Sequence, residues 1–354
     1  MSHAASPSTP QELTTRDVVR VPAVRNMLIY STALYTGLML QAAALGKQVY
    51  DMTGREIDIG LIGLLEFLPA AFLVLLTGMV ADRFQRKKVA MLGIVGELVS
   101  ALALMFYART NPTAVAPIFF ITFLYGVSRA FIAPAARSIW PMVAPPGGLP
   151  AVVALSSATW TGAAILGPAS SGLLYSVDPW VAYAVASGLI CIGLLSLTRV
   201  KTGQAATVEN RERPTLHDAL EGLRFIRRTP ILLAAISLDL FAVLFGGAIA
   251  LLPVIAEERL NVGDVAYGWL RAAAGIGAAG VALVLAFHPV RRKIGRLLFF
   301  VVATFGIATV VLGLTRSYLV AFIAVIVLSG ADMVSVFIRG SIVPLVTPDD
   351  KRGR

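Results

Sequence analysis

The chain has 354 residues, of which 57% are hydrophobic and only 14% are charged, and its mean hydropathy is +0.79. Soluble domains carry charged residues at roughly a quarter of their positions, so this composition excludes an ordinary soluble protein. The formal net charge of +10 would favour a nucleic-acid partner in a soluble chain. In a membrane protein basic loops mark the cytoplasmic side instead, and we expect no nucleic-acid partner.

Ten apolar segments long enough to cross a bilayer follow a polar N-terminal tail. We predict a cytoplasmic tail at 1–26, which lacks the features of a cleaved signal peptide. A six-helix transmembrane domain at 27–198 and a cytoplasmic linker at 199–230 come next. A C-terminal transmembrane domain of four helices then occupies 231–354. The predicted spans are 27–49, 59–80, 89–108, 115–137, 151–175, 179–198, 231–254, 266–287, 297–315 and 318–344.

The basic residues predict the orientation of these spans. Most of the 30 Lys and Arg residues lie in the tail, in the linker and in loops that fall on the same side of the predicted membrane. Loops rich in Lys and Arg stay in the cytoplasm. We therefore predict a multi-pass protein of the plasma (cytoplasmic) membrane with its N-terminus in the cytoplasm.

The loop after the second span, GMVADRFQRKKVA at 78–90, carries five charges within seven residues. Anchoring on the cytoplasmic side explains its four bases but not its one acid. The run resembles the signature G-x-x-x-D-R/K-x-G-R/K-R/K of the major facilitator superfamily, although Gln85 stands where that signature has glycine. The resemblance implies a conformational latch, in which the acid pairs with bases at neighbouring helix ends. Its residues would be Gly78, Asp82, Arg83, Arg86 and Lys87, with Arg137 as a partner.

Three further runs resemble one branch of this superfamily, the enterobactin-exporter-like and macrolide-efflux-like permeases. They are EFLPA at 66–70, SLDLFAVLFGGAIALLP at 237–253 and DMVSVFIRGSIVPLVTPDDKRGR at 332–354. The resemblance implies an all-α polytopic bundle of 12 transmembrane helices, of which ten are present here. It also implies that the chain is truncated before the last two helices and acts as a monomer.

Several acids fall inside the predicted spans, where a charge costs about 2.5–3.5 kcal/mol on insertion scales and marks a candidate functional site. An exporter driven by protons needs a membrane acid that gains and loses a proton, and burial disfavours the charged form of a carboxyl group. Our candidates for proton coupling are, in order of preference, Glu66, Asp239 and Asp332. The alternative for each of them is a static ion pair between helices.

Three other charged residues inside the spans are candidates for substrate binding or for such ion pairs. Glu97 lies too deep in the third span for an interface residue, and an arginine could neutralise it. Arg129 and Arg339 could bind an anionic group of a substrate, or could extend their guanidinium groups towards the interface.

The fifth span contains TGAAILGPASSG at 161–172. It resembles the antiporter signature G-x-x-x-G-P-x-x-G-G of drug–proton exporters, with Gly167, Pro168 and Gly172 as the matching residues. The match favours export over uptake. The alternative is ordinary helix packing, because small residues let helices approach closely.

Other classes of site receive no support from the sequence. GIGAAG at 275–280 satisfies the dinucleotide pattern G-x-G-x-x-G, but it lies inside a span with no strand before it. The three histidines have no metal-ligand spacing. We therefore expect no enzymatic activity, no cofactor and no metal, with the proton gradient as the energy source.

These patterns together predict a secondary active transporter. The expected activity is proton-coupled efflux (antiport) of a small amphipathic molecule, either a drug or a siderophore-like compound, by alternating access. The expected partners are this substrate, protons and the lipid bilayer. An uptake permease or lipid flippase of the same fold remains an alternative, as does a truncated fragment that transports nothing.

Overall fold

The computed structural model describes residues 13–200, 247–288 and 294–346, together with positions 227, 233, 237 and 240. Within these residues every regular element is a helix. The helices are α1 (Thr15–Val19), α2 (Pro22–Thr53), α3 (Glu56–Arg83), α4 (Arg86–Ala108), α5 (Ala116–Val143), α6 (Leu149–Tyr175), α7 (Pro179–Arg199), α8 (Leu252–Val254), α9 (Asp264–Phe287), α10 (Ile294–Leu314) and α11 (Tyr318–Val346). One π-helical turn, Ile255–Arg259, follows α8 directly.

The described helices agree with the predicted spans. Apart from 231–254, each predicted span coincides with one helix whose ends lie within six residues of the prediction. Seven of the described helices are long and apolar enough to cross a membrane by length and composition. The span at 231–254 lies largely outside the described residues, as does most of the linker at 199–230. The all-helical membrane architecture is thus confirmed, while the count of ten helices stays a prediction.

The ends of the long helices follow from local sequence. Pro22 is the first residue of α2, where a backbone N–H would have no partner within the helix, so its missing amide hydrogen costs no hydrogen bond. Gly54 ends α2 with a positive φ of 59°. At the start of α7, the Asp178 carboxylate accepts a hydrogen bond from the backbone N–H of Trp180 at 3.2 Å. Such caps let one helix end and the next begin within a short loop.

The described helices belong to two compact units. In the first unit, α2 packs against α7, α5 packs against both α3 and α4, and α4 also contacts α7. Its buried core includes Tyr30, Leu34, Ile94, Tyr125 and Ile190. In the second unit, α11 packs against both α9 and α10. The first unit matters most here, because it brings the charged residues of α3, α4 and α5 together.

Candidate functional site

An ion pair joins α3 and α5 inside the first unit. The guanidinium Nη1 of Arg129 bonds to the Oε1 of Glu66, and the two residues lie 63 positions apart in the chain. Both lie near the middle of 28-residue helices. Their side chains are partly covered, with 41% of Arg129 and 26% of Glu66 exposed. Glu66 and Arg129 were separate candidates in the sequence, and the structure makes them partners.

Tyr125 also contacts the Arg129 guanidinium. The Nη1 of Arg129 donates a hydrogen bond of 3.2 Å to the Tyr125 hydroxyl, and its Cζ lies 6.0 Å from the centre of the Tyr125 ring. Tyr125 is one helical turn before Arg129 and is almost fully buried. A rigid aromatic ring therefore orients the guanidinium towards α3.

Gly126 explains why α3 and α5 come close enough for this pair. An ideal Cβ at position 126 would lie 2.7 Å from the backbone oxygen of Glu66 and 3.0 Å from its Cα. Only a residue without a Cβ fits there without moving a helix. Pro69 acts on the same stretch, because it lacks the amide hydrogen that would otherwise bind the carbonyl of Leu65. The backbone contact at Gly126 thus positions the Glu66 side chain beside Arg129.

Glu97 of α4 lies beside this pair and is completely buried. Its exposed fraction is 0%, and within the described residues neither of its carboxylate oxygens has a hydrogen-bond partner. It interacts electrostatically with both Arg129 and Glu66. A cluster with two acids and one base therefore lies at the contact of three helices. We call Glu66, Glu97, Tyr125 and Arg129 the α3–α5 cluster.

Small residues seal α4 against α5 around Glu97. An ideal Cβ at Gly93 would lie 2.6 Å from the Cγ1 of Ile132 and 3.1 Å from the backbone oxygen of Ser128. Gly96 faces the Ser128 side chain in the same way. Such close contacts leave no room for water between the two helices. The burial of Glu97 is therefore a consequence of how α4 and α5 pack.

The other predicted membrane charges are less well defined. Asp332 lies half-buried in α11, and within the described residues it has no ion-pair partner. Asp239 and the side chain of Arg339 fall outside the described part of the chain. Their proposed roles therefore stay predictions.

One residue of the predicted latch has a defined partner. The Nζ of Lys87 donates hydrogen bonds to the backbone oxygens of Thr198 at 2.8 Å and Val200 at 2.7 Å, at the end of α7. Arg86 is the first residue of α4. The other residues of the predicted latch belong to α3 or α5, but only their helical backbone is described: Gly78, Asp82, Arg83 and the partner Arg137. The latch itself stays a prediction. In the structure, Lys87 caps the C-terminal end of α7.

The matching residues of the fifth span lie at close backbone contacts. An ideal Cβ at Gly167 would lie 2.6 Å from the Cβ of Met39, and one at Gly172 would lie 2.8 Å from the Cα of Gly268. Pro168 lies within α6 without ending it. These contacts agree with the packing alternative and leave the antiporter interpretation as a prediction.

The sequence analysis did not single out Tyr125 or Arg271 as site residues. The pentapeptide YGVSR at 125–129 has a counterpart, YGWLR at 267–271, in which Arg271 Nη1 donates to the Tyr267 hydroxyl at 3.1 Å. In both, a glycine follows the buried tyrosine at a close helix contact. The repeated Tyr-Gly-x-x-Arg pattern was the signal that could have revealed them.

Among the described residues, no three His, Cys, Asp or Glu side chains could hold a metal ion together.

Comparison with known proteins identifies the family. Residues 17–354 match the family model described as transmembrane secretion effector. The uncharacterized MFS-type transporter YfiS of Bacillus subtilis is 26% identical over 75% of this chain and 64% of its own length. Macrolide efflux protein A of Streptococcus pyogenes is 26% identical over 65% of this chain and 58% of its own length. The matched regions therefore cover less than two thirds of either relative.

Solved structures of other transporters share the fold of this chain. A crystal structure of the nucleoside transporter NupG has a TM-score of 0.72 at 14% identity, and covers 93% of this chain and 85% of its own. A bacterial homologue of the iron transporter ferroportin, in an inward-facing state, has a TM-score of 0.69 at 14% identity, with 94% and 86% covered. At these identities the likeness concerns the fold alone. The chain belongs to the transmembrane secretion effector family of major facilitator superfamily transporters.

Proposed function

We propose that this protein is a secondary active transporter that exports a small amphipathic molecule in exchange for protons, by alternating access. It acts in the plasma membrane with its N-terminus in the cytoplasm, and as a monomer. The observation that carries the proposal is the α3–α5 cluster, in which Glu97 lies buried beside the Glu66–Arg129 ion pair and has no hydrogen-bond partner among the described residues. The relative named as a macrolide efflux protein supports export as the direction.

The charges of the cluster explain how it can hold one exchangeable proton. With Glu66 and Glu97 both ionised, Arg129 would neutralise only one of them. Burying an unpaired ion costs several kcal/mol even after the surroundings relax. One proton on the cluster removes the excess negative charge. A change in exposure to water on either side of the membrane can then bind or release that proton, which is the requirement for coupling.

An aromatic pair in the first unit supports an amphipathic substrate with aromatic or large apolar surface. Tyr35 of α2 and Trp160 of α6 meet edge to face, with ring centres 5.1 Å apart and an angle of 78°. Trp160 remains 45% exposed. Aromatic rings offer large contact area, and the Trp N–H and Tyr O–H add polar recognition. This surface suits a bulky molecule better than a sugar or an inorganic ion.

The test uses inverted membrane vesicles that contain a fluorescent pH reporter and are supplied with macrolides as first candidates. Export predicts that vesicles accumulate the macrolide and that its addition moves protons. Single variants Glu66→Gln, Glu97→Gln, Asp239→Asn and Asp332→Asn follow, with Glu56→Gln as a control at the exposed start of α3. We expect Glu66→Gln and Glu97→Gln to abolish coupled proton movement and Glu56→Gln to retain it. Unchanged proton movement in all four membrane variants would refute proton coupling, and macrolide movement out of the vesicles would indicate uptake.

A further inference from the structure

We propose that Arg129 exchanges its ion-pair partner between Glu66 and Glu97, and that Glu97 carries the proton whenever Arg129 is paired with Glu66. This inference deepens the proposed function, since it names the proton carrier of the coupling site. The described conformation is then one of two, in which Glu97 is neutral and the Glu66–Arg129 pair is closed.

Among the side chains that the structure describes, Arg129 is the cation that interacts with Glu97. The ionisable groups that interact with Glu97 are Arg129 and Tyr125 from α5 and Glu66 from α3. The third helix that packs on α4, α7, contributes no ionisable group that interacts with Glu97 among the described residues. If Glu97 loses its proton, Arg129 is the cation among the described residues that can stabilise its carboxylate, and it must leave Glu66 to do so.

The two acids differ in their exposure to water. Glu97 has no exposed surface, whereas 26% of the Glu66 side chain is exposed. The O–H bond of the Glu97 carboxyl breaks, its proton passes to water on the side that is then open, and the remaining carboxylate binds the Arg129 guanidinium. The released Glu66 carboxylate can take up the next proton from water. Both end states are balanced, because one acid is neutral and the other is paired with Arg129. Between them the cluster carries one excess negative charge, which the proton taken up by Glu66 removes.

Tyr125 makes the exchange possible without a large movement. Its hydroxyl accepts a hydrogen bond from Arg129 Nη1 at 3.2 Å, and it lies on the same helix as the arginine. The guanidinium has five N–H donors, so it can keep one bond to Tyr125 while others move between acids. The close α4–α5 contact at Gly93 meanwhile holds Glu97 near Arg129.

The protonation of Glu97 can be measured directly by infrared spectroscopy of the full chain in lipid, through the C=O stretching band of a protonated carboxyl. At neutral pH we expect such a band in the unsubstituted protein and its loss in Glu97→Gln. We also expect its loss in Glu66→Gln, because Arg129 then pairs with Glu97. The double variant Glu66→Gln with Arg129→Met should regain the band, since no guanidinium remains to hold Glu97 ionised. Glu56→Gln, at an exposed position, should leave the spectrum unchanged.

Three results would overturn the exchange. They are the absence of a band that depends on Glu97, a band that persists in Glu66→Gln, and failure of the double variant to regain it. The double variant also controls for misfolding of Glu66→Gln. If misfolding had removed the band, replacing Arg129 as well would not restore it. The measurement needs neither substrate nor transport. Coupled efflux without these spectral changes would overturn the exchange alone, and the spectral changes without efflux would overturn the proposed function alone.

Discussion

Gly126→Ala should disrupt the α3–α5 cluster without altering any charge. The added methyl group would lie 2.7 Å from the Glu66 carbonyl oxygen, 3.0 Å from the Glu66 Cα and 3.1 Å from the Leu65 carbonyl oxygen. All three atoms belong to the backbone, so no side-chain rotation can relieve the contact. The helices have to separate instead, and Glu66 moves away from Arg129.

The size of the effect follows from these distances. An ordinary van der Waals contact at this position begins at 3.4 Å, so α3 and α5 have to separate by about 0.7 Å. Overpacking of this kind costs about 1–3 kcal/mol. Replacing Gly by Ala inside a helix stabilises it by roughly 0.5–1 kcal/mol. Gly63→Ala is the matched control, because it lies in α3 with nothing within 4 Å of its ideal Cβ. The gain in helix propensity is common to both variants and cancels in the comparison.

We therefore expect Gly126→Ala to have a free energy of unfolding about 1–3 kcal/mol below that of Gly63→Ala. Unfolding by sodium dodecyl sulfate in mixed micelles, followed by circular dichroism, measures this difference. Transport in inverted vesicles should fall in Gly126→Ala and be retained in Gly63→Ala. Equal stability of the two variants would contradict the backbone contact. Lower stability with normal transport would show that the spacing of α3 and α5 does not control the cluster.

Two further predictions concern the charged segment 82–88, where α3 ends and α4 begins. Lys87→Met removes the ammonium group that binds the carbonyls of Thr198 and Val200, so we expect a loss of about 1 kcal/mol in the same unfolding assay. Lys88→Met, at an exposed position, is the control, and an equal loss there would rule out a specific cap of α7. Asp82→Asn should preserve insertion and topology but impair transport, because it removes the acid of the proposed latch while leaving every base. Normal transport in that variant would contradict the latch and leave cytoplasmic anchoring as the explanation of this charged segment.

The sequence by itself determined where the described membrane helices lie and which family the chain belongs to. A helix that crosses a bilayer satisfies its backbone groups internally and needs about 20 apolar residues, so each span is a local property that a window of sequence contains. The latch signature at 78–87 is equally local. Charge inside an apolar span also marked Glu66, Glu97 and Arg129 one by one, since burying an ion is costly wherever it occurs.

Only the tertiary structure decided how these charges are paired. From the sequence alone, an arginine could have paired with Glu97, and Glu66 could also have formed a static ion pair. The partner of Arg129 is Glu66, 63 residues away, and Glu97 remains without a hydrogen bond among the described residues. That choice depends on which backbones touch, at Gly126 against α3 and at Gly93 against α5. Helical periodicity tells which face a residue occupies, but the helix that covers this face is selected by packing across the whole bundle.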